Sequence, residues 1–405
     1  MRMIKIKDIA TIEMGLSPKG ESYNTKRKGL PLLNGPTEFG EKYPNCTLYT
    51  IDSKRESQIG DLIFCVRGST TGKMNFADKK YSLGRGVCSI RGENPIITKY
   101  IKYSLDNNLN GLLKYANGGT FPNLCRDDIL NFEIPFNYPE ITVKVLSNYD
   151  DLIENNNKRI KILEEMAQKI YKEWFVDFKF PGHETTIFKD SPLGKIPDDW
   201  QIKKVSDISK LSKGKSYKSS ELVDKKVGLP FLNLKCIERD GGFKREGLKW
   251  FNGKYNDSHI VLPEDIIMAV TDMTQERRLV ARPARIPHNW FKKYIMSMDL
   301  VKLIPNSDIH KTYFYCLLKY SSFSDEVKNH ANGANVLHLN PQNIENFELV
   351  IANKEIRELF GKIVKNIFNE IDILNIKNEN LKQTRDILLP RLISGEIDVE
   401  NLEVL

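Results

Sequence analysis

The chain repeats itself. Laid along its own second half, Lys7-Asp8-Ile9 answers Ser206-Asp207-Ile208, and Gly15 answers Gly214. Gly29-Leu30-Pro31-Leu32-Leu33-Asn34 answers Gly228-Leu229-Pro230-Phe231-Leu232-Asn233, at the same offset of 199. Gly60-Asp61-Leu62-Ile63-Phe64 then answers Glu264-Asp265-Ile266-Ile267-Met268 at an offset of 204. Ala116-Asn117-Gly118 answers Ala331-Asn332-Gly333, and Ile129, Asn131, Phe132 and Glu133 answer Ile344, Asn346, Phe347 and Glu348, now at 215. Blocks that keep order and register do not arise by chance, so one unit is present twice. The offset grows by 5 and then by 11 residues, after Asn34 and after Asp61. The middles vary while the edges are held.

The match runs on into two long stretches, where Ile141 meets Ile356. Residues 141–175 contain no proline or glycine. Tyr149, Asn156, Leu163 and Ile170 recur every seven residues, with Val145, Leu152 and Met166 in the second apolar slot, which is a heptad seam. At 1.5 Å per residue the helix is roughly 50 Å long. Phe360, Ile367, Leu374, Leu381 and Leu388 keep the same step. The second helix, 356–392 with Pro390 at its end, is therefore the expected antiparallel partner of the first. Leu163, Leu374, Leu381 and Leu388 should pack against each other, and Asn156 in the seam should trade stability for register. Trp174, Phe175 and Phe178 could cap the pair or dock a partner.

The expected fold is α+β: two similar globular α/β domains separated by two long helices that form an antiparallel coiled coil, with a pseudo-twofold internal repeat. The expected boundaries are 1–138 for the first globular region, 139–180 for its helix and 181–194 for a linker. The second globular region takes 195–353, and its helix with the tail takes 354–405. Runs such as DLIFCV, EDIIMAV and MDLVKLI read as strands, and 98–105 and 309–318 as helices. At 405 residues, two or three domains are expected. There is no run of eighteen apolar residues and no signal-like N-terminus, which points to the cytoplasm. The six cysteines are isolated, which argues against a zinc site or a disulfide framework.

The strings that could carry catalysis fall short. Gly68-Ser69-Thr70-Thr71-Gly72-Lys73-Met74 resembles a phosphate-binding loop, but it has three residues between its glycines and Met after the lysine. It reads better as a polar loop carrying Arg67 and Lys73. Asn340-Pro341-Gln342-Asn343 lacks the second proline and the aromatic residue that hold a flipped adenine. The histidines have no metal-ligand spacing, and Asp127-Asp128 reads as a helix cap. The chain is expected to be non-catalytic, with no metal and no cofactor of its own.

What remains is basic. Lys19, Tyr23, Lys26, Arg27 and Lys28 cluster in region one, and Lys213, Lys215, Tyr217 and Lys218 in the matching place of region two. Arg67, Ser69, Thr70, Lys73 and Arg85 join the first group, and Gln275, Arg277, Arg278, Arg282 and Arg285 the second. Lys and Arg neutralise phosphates, while Arg, Gln, Ser and Thr can read base edges. The net charge of +8 permits a polyanion partner. Two such modules on a ~50 Å arm, about 15 base pairs of duplex, would read two different segments and leave a gap between them.

At this point the residues resemble a known family, the specificity subunit of type I restriction–modification systems (HsdS). The resemblance covers essentially the whole chain. It rests on Gly60-Asp61-Leu62-Ile63, GGTFPNLCRDDILNFEIP, EEMAQKIYKEWFVDF, LGKIPDDW and LLPRLISGEI, in that order and partly duplicated. Region one opens at Met1-Arg2-Met3-Ile4, without the lead that Ile196-Pro197-Asp198-Asp199-Trp200 gives region two. The resemblance implies two target-recognition domains, each reading one half of a split site in double-stranded DNA. It implies paired helices that bind two methyltransferase subunits, with Leu152, Leu163, Met166, Ile170, Trp174, Ile367, Leu374, Leu381 and Leu388 as pairing or docking residues. Two restriction–translocase subunits would complete the complex. Adenine N6-methylation, S-adenosylmethionine and ATP with Mg would belong to those partners. The alternatives are the specificity subunit of a related type II system, whose partner chain joins methylation and cleavage, and a coiled-coil scaffold that does not bind DNA.

Overall fold

In the computed structural model, residues 2–117, 122–225, 227–288, 290–397 and 399 are described. They fold as two units, 1–154 with 379–405, and 155–378. Each holds one globular α+β region and a stretch of both long helices.

In the first unit a four-stranded antiparallel sheet runs in the order Ala10–Met14, Val87–Gly92, Leu62–Cys65, Met74–Phe76. Leu62, Ile63, Phe64 and Cys65 are all fully buried, because both faces of this strand are covered. Leu62 and Phe64 face helix Pro95–Asn107 with Tyr100 and Ile101, while Ile63 turns to a separate cluster with Leu33, Leu83 and Val87. That helix begins where Asn94 accepts the Ile97 amide at 3.0 Å and Pro95 opens the first turn. A second sheet pairs Leu30–Leu33 in parallel with Ser82–Leu83.

The second unit repeats the plan. Its main sheet runs Ser209–Lys213, Leu300–Pro305, Ile266–Ala269, Pro283–Arg285. Leu229–Leu232 lies parallel to Tyr294–Met296, and helix Lys311–Tyr320 covers the sheet. Gly15 and Gly214 match for a steric reason. A Cβ on either would stand about 2 Å from a carbonyl oxygen, 2.1 Å from that of Gly84 or 1.9 Å from that of Ser297. Between the first long helix and this unit's sheet, Phe188–Ser191 and Gly194–Pro197 form a hairpin.

The long helices are Pro139–Phe175 and Lys354–Ser394. In the first unit Val143 and Leu146 meet Leu388, Leu392 and Ile393, and Asp150 bonds Arg385 at 2.6 Å. In the second unit Ala167, Tyr171 and Trp174 pack with Phe360, Val364, Phe368 and Ile371. There Asn156 donates to Asn378 at 2.9 Å, and Asn378 donates on to Asn157 at 2.8 Å. Within each unit the helices run antiparallel.

The expected seam needs correction in two places. On the second helix Phe360 and Ile367 pack in the second unit's core and Leu388 in the first unit's, Leu374 is fully buried, and Leu381 is half-buried outside these clusters. On the first, the row beside Asn156, Leu163 and Ile170 is Ile153, Ile160, Ala167 and Trp174. Leu152 and Met166 lie outside it, at 52% and 46% exposure, because the partner helix packs one residue further round. Pro390 sits inside the second helix, which continues to Ser394. Of the two roles left open for Trp174, Phe175 and Phe178, the contacts fit capping the helix pair: they pack in the second unit's core, with Trp174 5.8 Å from Phe360 of the other helix. The Phe175 ring lies 4.9 Å from Phe360 and 5.7 Å from Trp200, and Phe178 lies 5.5 Å from Trp200.

Candidate nucleic-acid interface

Each unit builds the same small module at the exit of its buried central strand. In the first, Leu62–Cys65 turns through Gly68 and Gly72, both with positive φ, straight into strand Met74–Phe76. The glycines serve a hairpin turn. No helix follows to hold a phosphate, so the nucleotide-loop resemblance ends here. A second hairpin closes on this loop, with Asn117 and Asn123 exchanging backbone bonds at 2.9 Å. The Arg67 guanidinium donates to the Asn123 side chain at 2.9 Å, and the Gly68 amide and Thr71 hydroxyl donate to the Pro122 carbonyl. Arg67, Ser69 and Lys73 are exposed on its surface.

In the second unit, Thr271–Asp272 pairs with Leu337–His338, and Asn332 exchanges backbone bonds with His338 at 3.0 and 2.9 Å. The loop that follows carries Gln275, Arg277 and Arg278. Gln275 donates to the Gly333 and Ala334 carbonyls at 3.2 and 2.9 Å, so its amide nitrogen is occupied within the module. The two Ala-Asn-Gly strings of the repeat therefore supply the closing hairpins. Gly118 itself lies outside the described residues.

Asp272 holds this loop. Its carboxylate accepts the Thr274 amide at 2.9 Å and hydroxyl at 3.0 Å, and the amides of Leu279 at 2.7 Å and Val280 at 3.3 Å. Burial pushes the carboxyl up, but these bonds, the Leu279 and Thr274 amides first, outweigh it and hold it below its ordinary range. Sequence reasoning missed Asp272, because its partners are backbone N–H groups that no motif spells. It also missed the closing hairpins, although the recurrence of Ala-Asn-Gly was a usable signal.

The basic stretches take matching places. Lys19, Lys26, Arg27 and Lys28 are exposed, and Asn24 pins the tip by accepting the Lys28 amide at 3.0 Å. In the second unit Lys213 and Lys218 are exposed. Lys215 is held by backbone bonds to Met296 and Met298, and Tyr217 lies edge-on to Phe231 at 4.7 Å. Arg85 is exposed beside Ser17, which accepts its amide at 3.2 Å. Arg27 and Arg277, one in each unit, adopt left-handed φ of 58° and 53°, uncommon for arginine.

Two arginines expected on this face are held by carboxylates of the same unit. Arg282 bonds Asp325 at 2.8 Å and is only 15% exposed, and Arg285 bonds Asp372 of the second long helix at 2.6 Å. The Arg285 charge is matched inside the fold and leaves the candidate set, whereas Arg282 is paired at the surface with Asp325, itself 64% exposed. Arg278 and Met273 line an open cleft of about 720 Å³ against the 234–247 segment, with Lys235, Arg239 and Lys244. Among the described residues no three of His, Cys, Asp or Glu come together to hold a metal ion. No helix there is long and apolar enough to cross a membrane.

A family model described as the type I restriction modification DNA specificity domain matches residues 1–165 and 197–383. The chain is 29% identical over 349 residues to the type I restriction enzyme MjaIX specificity subunit of Methanocaldococcus jannaschii, covering 82% of this chain and 76% of that protein. It is 20% identical to the HindI specificity subunit of Haemophilus influenzae, covering 90% and 94%. The crystal structure of a type I restriction–modification S subunit from M. genitalium superposes with a TM-score of 0.59 at 19% identity, over 97% of this chain and 96% of that one.

Proposed function

This chain belongs to the type I restriction modification DNA specificity family, a non-catalytic DNA-recognition role, and from that premise we propose that each of its two units reads one half of a bipartite site in double-stranded DNA. The observation that carries the proposal is the module built twice. The same strand exit and closing hairpin recur on the same sheet order, and different side chains stand at the tips. In region one these are Arg67, Ser69, Thr70 and Lys73, and in region two Arg277, Arg278 and the exposed Gln275. Copies with the same scaffold and different tips suit two different half-sites. The lysines of the 19–28 and 213–218 stretches would contact phosphates, which set affinity, while the loop tips would contact bases, which set sequence.

The partners would be two methyltransferase subunits and the restriction–translocase subunits. S-adenosylmethionine and ATP with Mg would be bound there, as would the chemistry of adenine N6-methylation. The test is genetic. Deleting this gene while keeping the methyltransferase should abolish an N6-methyladenine motif of two parts and a fixed gap, read by long-read sequencing of the host. Persistence of the mark would sink the proposal.

A further inference from the structure

We propose that Asp272 is the positioning residue of the second unit's reading loop, fixing 273–279 from beneath without touching the DNA itself; this rests on the half-site reading above. The carboxylate is 1% exposed. One oxygen takes the amide and hydroxyl of Thr274, and the other takes the amides of Leu279 and Val280. A single side chain thus ties the loop at both of its roots. Its own backbone is set by pairing with Leu337–His338. Gln275 adds a third tie, from the loop tip to the closing hairpin. Between these points Met273, Thr274, Glu276 and Arg278 are exposed, so a hydrogen-bonded base carries a solvent-facing tip.

Recognition through base edges needs donors and acceptors held to within fractions of an ångström, and a loop that wanders loses discrimination before it loses affinity. A carboxylate suits this post because it offers only acceptors, and all four groups facing it are donors. Asparagine cannot replace it fully. Its NH2 group would have to face either the Thr274 donors or the Leu279 and Val280 amides, freeing one root of the loop. The first unit solves the same problem differently. Asp272 follows Thr271, which takes the place of Arg67 in the repeat, so Gly68 stands where Asp272 does. There the ties run to the Pro122 carbonyl and the Asn123 side chain instead. A defect at Asp272 should therefore be confined to one half of the site.

The experiment uses the assembled complex with its methyltransferase subunits. Methylation is measured on duplexes carrying single base changes in either half, and the half belonging to region two is identified beforehand by exchanging that region. Asp272→Ala should cut discrimination in that half by roughly tenfold, the scale of one mismatched pair. The other half should stay within about twofold on the same scale. Asp272→Asn should fall between, and Thr274→Val, which removes one bond only, should move the same way by less. Hydrogen exchange of the buried strands 266–269 and 300–305 reports whether the unit stays folded. If Asp272→Ala unfolds it, Thr274→Val decides. Equal loss in both halves, or unchanged discrimination in a less stable protein, would overturn the inference alone. A wild-type complex that discriminates in one half only would overturn the half-site reading and this inference with it.

Discussion

The two units share a sheet order but fasten their globular regions to the long helices with different chemistry. In the second unit Arg285 bonds Asp372 with both side chains nearly buried, at 10% and 3% exposure. The guanidinium also lies 5.1 Å over the Phe368 ring, and Asp372 accepts the His288 amide at 2.9 Å. Glu264 adds bonds to His288 at 2.9 Å and to Lys365 at 3.1 Å. It does so from a left-handed φ of 67°, at the place where the first unit has Gly60 with φ 90°. In the first unit the fastening is wetter. Lys42 reaches Asp151 at 3.8 Å and also Glu154, while Asp150 accepts the Tyr103 hydroxyl and Arg385, each at 2.6 Å. The repeat therefore preserves where the domain grips the helix and not what grips it. Geometry at such a contact constrains direction and reach, and several side-chain pairs satisfy both.

That contrast can be broken by substitution, beginning with the largest effect. Asp372→Ala leaves Arg285 buried without its counter-charge and should destabilise the second unit by about 3–5 kcal/mol. Urea unfolding reads the loss, and hydrogen exchange should confine it to 260–300 and 354–378. Tyr103→Phe in the first unit removes one hydrogen bond to a charged group and should cost about 1.5–3 kcal/mol, with faster exchange near 139–154. Glu154→Ala, at a part-exposed pair, should cost less than about 1 kcal/mol and lose even that in high salt. A cost as large as that of Asp372→Ala would refute the distinction between a dry and a wet fastening.

The smallest effect is on acidification. Burial would raise the Glu264 carboxyl, but its bonds to His288 and Lys365 outweigh this and hold it below its ordinary 4.5. A depressed carboxylate stabilises the fold above its unfolded pKa, and that contribution is lost as pH falls through the folded value. The second unit should therefore loosen below about pH 4.5, and Glu264→Gln should flatten that part of its stability profile.

Much of this architecture was legible because its signals are long. The heptad step over Phe360, Ile367, Leu374, Leu381 and Leu388 names a face without knowing the partner. The phase of the first helix did not follow as easily. Leu152 and Met166 are as apolar as Ile153 and Ile160, and only the packing of a helix more than 200 residues away selects between them. Polar residues in that same seam, Asp150, Asn156, Asn378 and Arg385, dilute the periodicity further. At the candidate interface the basic stretches were visible as composition. Which arginines face outward was not, since Arg282 and Arg285 are claimed by Asp325 and Asp372, 43 and 87 residues along the chain. Asp272 left no trace in the sequence beyond being an aspartate after a strand.

The first unit is closed by a strap of sequence that arrives late. Val143 and Leu146, with the sheet behind them, complete their packing only against Leu388, Leu392, Ile393 and Val399. On a ribosome adding about 5–20 residues per second, the roughly 240–255 residues that separate the two parts amount to a delay of about 12–50 s. Through that interval the first globular region should lack the cover that Leu388, Leu392, Ile393 and Val399 give it, while the second is still being made. The chain's earliest portion is thus among the last to reach its final state. A message truncated after the second globular region would yield a protein whose defect lies at the opposite end of its sequence.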